Sequence, residues 1–95
     1  MRVLVVAELF ETITEREDIQ TVRRRVAVHL EEVIKPSCKL EMAGVFADGR
    51  APFFILDVES SGELMRLLGG PLIDSFRVTT RPICSFEELE GIFGN

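Results

Sequence analysis

The sequence predicts an α+β domain: one antiparallel sheet, with its two main helices on a single face. Three observations carry that prediction. Two strands are oily on both faces, a long helical stripe lies between them, and turn and capping signals punctuate the chain in the order β-α-β-β-α-β. The organising strand is Ala51-Pro-Phe-Phe-Ile-Leu-Asp-Val58, fenced by Asp48-Gly49 and Ser60-Ser61-Gly62. Phe54, Leu56 and Val58 point one way and Phe53, Ile55 and Asp57 the other, the pattern of a central strand covered on both sides. Residues 2–10 (Arg2 to Phe10) form the second strand of this kind.

After that first strand, Thr12-x-x-Glu15 and Thr14-x-x-Glu17 read as overlapping capping boxes. The helix they open runs to about Lys35, where Pro36 stops it. Ile19, Val22, Val26, Leu30 and Val33 fall on one stripe at 100° per residue. Arg23, Arg24 and Arg25 are spread round the helix and form no patch. Residues 38–47 alternate, with Cys38, Leu40, Met42 and Phe46 on one side, Lys39, Glu41, Ala43 and Val45 on the other, and Gly44 as the expected bulge. Asp48-Gly49 signals the hairpin turn into the central strand. Ser60-x-x-Glu63 caps a short helix over residues 63–68, which Gly69-Gly70-Pro71 ends. A fourth strand spans about residues 75–83, and Pro82 suits an edge position. Ser85-x-x-Glu88 caps a last helical turn or two carrying Phe86, Leu89, Ile92 and Phe93.

This order is the ferredoxin-like arrangement, with an expected sheet order of fourth, first, third, second. Ninety-five residues make one domain, residues 1–95, and 46% apolar with 28% charged residues is the composition of a folded chain. The net charge of −5 opposes a nucleic-acid or anionic-membrane partner. No run approaches a membrane span, and Val3–Ala7 is too short for a signal-peptide core, so a cytoplasmic protein is expected. Cys38 and Cys84 stand alone, without metal or disulfide spacing, and read as small packing residues.

With both helices on one side, the other face of the sheet is left with Leu4, Val6, Phe10, Val45, Phe53, Ile55 and Ile83. Each large side chain left wet forfeits about 1.5–3 kcal/mol of burial. Half a dozen together match the whole stability of a small domain, about 5–15 kcal/mol. Such a patch marks an interface, and the economical solution is a homodimer with its sheets face to face. The competing solution folds the C-terminal helix back over the same face and leaves a monomer.

The order of elements and the segment Gly44-Val-Phe-Ala-Asp-Gly-Arg-Ala-Pro-Phe-Phe-Ile-Leu-Asp-Val-Glu-Ser-Ser61 resemble the dimeric α+β barrel superfamily. Within it the chain is most similar to a family of small proteins with no assigned activity. The closing strand Phe76-Arg-Val-Thr-Thr-Arg-Pro-Ile83 adds to the likeness. Relatives often carry a tryptophan in the second helix, and this chain has none. The resemblance implies a paired barrel and a binding site for a small ligand or partner.

The candidate binding groups on the same face are Glu8, Asp57, Arg77 and Arg81, with Glu41 beside them. The carboxylates of Glu8 and Asp57 are the candidate acid–base pair, and the two arginines suit an anionic substrate. Cross-strand ion pairs that fix register are the plainer reading. His29 lies near the edge of the first helix's apolar stripe, as a boundary residue rather than a base or metal ligand, since no second histidine exists to share a metal. The chain offers no cofactor or metal set. Aromatic RNA-binding positions on the third strand are occupied by Pro52 and Asp57 instead. The function expected is therefore a non-catalytic homodimer that binds a small molecule or partner. The alternative is a cofactor-independent isomerase or monooxygenase using Glu8 or Asp57 with Arg77 or Arg81.

Overall fold

The computed structural model describes residues 1–94, with the side chain of Phe93 outside that description. The chain is an α+β domain. Strands β1 (Arg2–Leu9), β2 (Leu40–Val45), β3 (Pro52–Asp57) and β4 (Phe76–Pro82) form one open antiparallel sheet. Its order is β2-β3-β1-β4, which read from the β4 edge runs fourth, first, third, second. The helices are α1 (Arg16–His29), α2 (Ser61–Ser75) and α3 (Phe86–Phe93). Val3, Val5, Phe54 and Leu56 of the central strands share one core with Val22 of α1 and Leu64, Leu67, Leu68 and Leu72 of α2. Both main helices therefore cover the same face, and the domain is compatible with the ferredoxin-like arrangement.

Neither expected capping box forms at the start of α1. The N-cap is Glu15, and its side chain makes no capping hydrogen bond. The β1–α1 connection is held instead by Arg50, whose Nη2 donates to the carbonyls of Phe10 (3.1 Å) and Ile13 (3.3 Å). At its far end α1 does not stay α-helical to Lys35. Residues Leu30–Ile34 form a π-helical turn, followed by a 3₁₀ turn at Lys35–Ser37. A π turn takes one more residue than an α turn and so rotates the following side chains out of phase. Ile34 enters the core, fully buried, and Val33, the expected member of the stripe, is exposed.

The second helix is longer than expected. Ser60 Oγ accepts from the Glu63 amide at 3.1 Å, as the sequence suggests. Gly69 breaks the helix with φ +59°, but Gly70-Pro71 restarts it, since proline suits a first helical turn. The restart carries Leu72 into the core. A continuous helix would direct the amide of residue 71 at the Leu67 carbonyl, and Pro71 has no N–H to give. His29 fills the role: its Nε2 lies 2.6 Å from Leu67 O. His29 is accordingly buried against the α2 break, not at the sheet edge as expected. A Cβ on Gly69 would stand 2.8 Å from His29 Cε1, so the break needs glycine both for its φ and for its space.

The bulge in β2 is not at Gly44. It lies between Leu40 and Met42, which pair with the adjacent residues Leu56 and Ile55, leaving Glu41 as the extra residue. One inserted residue sends every later side chain to the opposite face. Ala43 and Val45 thus turn to the helix side, and Met42 and Phe46 to the open side. Cys38 and Cys84 are both exposed, so neither packs in the interior as expected. Cys38 instead takes the left-handed conformation (φ 61°) that ends the 3₁₀ turn.

Candidate functional site

Two surfaces are candidates, the open face of the sheet and a cleft on its helix side. Across the open face Leu4, Val6, Phe53 and Ile55 are half-buried, in the strand positions the sequence assigned to them. Phe10 and Ile83 are also half-buried and follow the ends of β1 and β4. Val45 does not belong to this set, because the bulge at Glu41 places it on the helix side opposite Pro52. Met42 and Phe46, 53% and 49% exposed, take its place. Phe46 packs on Phe53 with ring centroids 5.4 Å apart. Phe53 in turn lies across Gly44, where a Cβ would meet its ring at 2.5 Å. Nothing in the strand's alternation reveals these residues; only the misplaced extra residue does.

The charged candidates separate into two groups. Glu8 stands opposite Arg77 at one end of the face. Asp57 stands opposite Arg2 at the other end, where its Oδ1 accepts from the N-terminal ammonium at 3.3 Å. Six residues of β1 separate Glu8 from Arg2, about 20 Å. Arg81, opposite Leu4, belongs to the Asp57 end. Within one chain Glu8 and Asp57 therefore share no site. Arg2, which the sequence reading did not single out, is the hub of the second group. Its Nε lies 2.6 Å from Glu41 Oε2 and its Nη1 3.3 Å from Glu88 Oε1. Nε is shielded from solvent, and its contact with Glu41 is an ion pair rather than an aligned hydrogen bond. Glu41, then Glu88 and Asp57, hold the Arg2 guanidinium above its ordinary pKa. Arg77 and Arg81 are exposed and have no carboxylate partner among the described residues.

On the helix side a cleft of about 490 Å³ opens between α1 and the β2–β3 hairpin. Ile19, Val22 and Val26 of α1, with Leu30 of the π turn, face Val45 and Pro52 across it. Its mouth carries two guanidiniums, each bound to backbone rather than to a carboxylate. Arg23 Nη2 donates to Gly49 O at 3.2 Å, and Arg50 donates to Phe10 and Ile13. Glu8, Glu11 and Asp48 line a neighbouring hollow with Arg50. The volume and the apolar walls suit a small organic molecule. A shallower groove of about 550 Å³ runs along the outside of α1 and α2, past His29 and Asp74. Arg24, Arg25, Glu32 and Asp74 are among the residues that line it.

Among the described residues no group of three or more His, Cys, Asp or Glu side chains is arranged to hold a metal, and no helix is long and apolar enough to cross a membrane. No protein-family model matches the chain, and no curated protein matches its sequence.

Proposed function

We propose that the protein is a cytoplasmic homodimer of the dimeric α+β barrel type that binds a small apolar molecule without transforming it. The observation that carries the binding role is the cleft between α1 and the hairpin: apolar walls, a volume within the roughly 300–1,000 Å³ of ligand sites, and cations only at its mouth. The paired assembly is supported by the open face, where Leu4, Val6, Met42, Phe46, Phe53 and Ile55 have no covering element. The isomerase or monooxygenase reading has less support, because Glu8 and Asp57 lie at opposite ends of the sheet, each with one candidate arginine, and form no acid–base pair within one chain.

Anilinonaphthalene sulfonate, an aromatic anion that brightens in apolar sites, is a suitable probe. Titrated into the native protein it is expected to bind at micromolar concentration. Val26→Phe fills the cleft and is expected to weaken that binding at least tenfold while circular dichroism stays unchanged. Undiminished binding by a folded Val26→Phe protein places the probe elsewhere and removes the cleft from consideration.

A further inference from the structure

Helix α3 is well formed yet nearly unattached. Its start is fixed by a complete capping box, with Ser85 Oγ accepting from the Glu88 amide at 3.0 Å and Glu88 reaching back to the Ser85 amide. Its described apolar side chains are largely uncovered: Phe86 is 85% exposed, Ile92 69% and Leu89 41%. At 100° per residue these three span an arc of about 120°. Glu88 flanks one side of the arc and is tied to Arg2 of its own sheet. Glu90 and Glu87 follow on the other side, without a cationic partner among the described residues.

The complement of such a helix lies on the open face. Arg77 and Arg81, the unpaired cations, sit four residues apart on β4, about 13 Å. That gap admits the 10–12 Å diameter of a helix. Between them the face offers Thr79 and, across the ladder, Val6. A helix laid there would set its apolar arc on the sheet and its free carboxylates beside an arginine. The chain's own α3 lies at the sheet's end, where Glu88 meets Arg2 at 3.3 Å, and leaves that surface open to another copy.

We propose that α3 is an exchanged arm: in the dimer each α3 lies on the partner's open face between its Arg77 and Arg81, with Glu87 and Glu90 together beside one of those cations. This rests on the dimer reading above and adds that each half of the interface is incomplete without the other chain's helix. The open face is thus covered partly by sheet and partly by helix.

Two charge-reversed variants test it, Arg77→Glu/Arg81→Glu and Glu87→Arg/Glu90→Arg, all at exposed positions. Sedimentation is expected to show each variant alone dimerising at least tenfold more weakly than wild type. An equimolar mixture is expected to regain wild-type affinity as a heterodimer, since both arms then meet opposite charge. Variants that dimerise like wild type overturn the exchange, and so does a mixture no tighter than its components. A wild-type protein that sediments as one chain overturns the dimer itself, a distinct result that removes the arm with it.

Discussion

His29 is a buried polar side chain placed at the break in α2. Its Nε2 serves the Leu67 carbonyl, a group that Pro71 would leave unpaired in the interior. An unsatisfied buried acceptor costs about 1–3 kcal/mol. His29→Leu keeps the bulk and loses the donor, so denaturant unfolding is expected to show a loss of about 2 kcal/mol. His29→Gln places an amide nitrogen near the same point and is expected to recover about half of that; equal losses in both variants would mean the hydrogen bond contributes nothing. The sequence made His29 legible as a residue at the margin of the α1 stripe, but not its partner. That partner is a backbone carbonyl 38 residues away, exposed by a break that only Gly69 and Pro71 announce. Gly69-Gly70-Pro71 reads equally well as the end of a helix or as a break and restart. What decides is Leu72, whose burial in the core rewards the second segment.

At the scale of elements, the order of strands and helices was legible from periodicity and turn signals, the restart of α2 after Gly69 was not, and the two departures in phase come from one-residue slips. The extra residue Glu41 turns Val45 to the helix side, and the π turn at Leu30–Ile34 turns Val33 outward. Periodicity assumes a constant repeat, and neither slip leaves a composition signal. The α1 slip predicts an inversion of mutational cost. Ile34→Ala opens a cavity at a fully buried site and is expected to destabilise by about 2–5 kcal/mol. Val33→Ala, at a site 38% exposed, is expected to cost no more than about 0.5 kcal/mol. Thermal or urea unfolding of the pair decides between the π turn and an uninterrupted α stripe, in which the larger cost would fall on Val33.

For the whole molecule, the α+β class and the placement of both main helices on one face follow from two strands that are apolar on both sides. The open face was legible for the same reason at its β1 and β3 positions, while on β2 Val45 was misplaced and Met42 and Phe46 were missed. The cleft was not, because it depends on how far α1 stands from the hairpin, a distance no pattern encodes. Val6→Glu/Ile55→Glu puts two charges per chain into the proposed interface. Burying them unpaired costs several kcal/mol, so at least a hundredfold loss of dimer is expected. Sedimentation should then give 10.7 kDa in place of twice that mass. A double variant with undiminished mass would show that the dimer, if present, uses another surface.

The two outermost strands differ in sequence yet share a habit. One is kinked by its surplus glutamate at position 41, and the other closes on Pro82, which has no amide to offer a newcomer. Lateral growth into ribbons or fibrils is discouraged along both borders. The broad side away from the helices is then the route left for self-association, the one the proposed dimer takes.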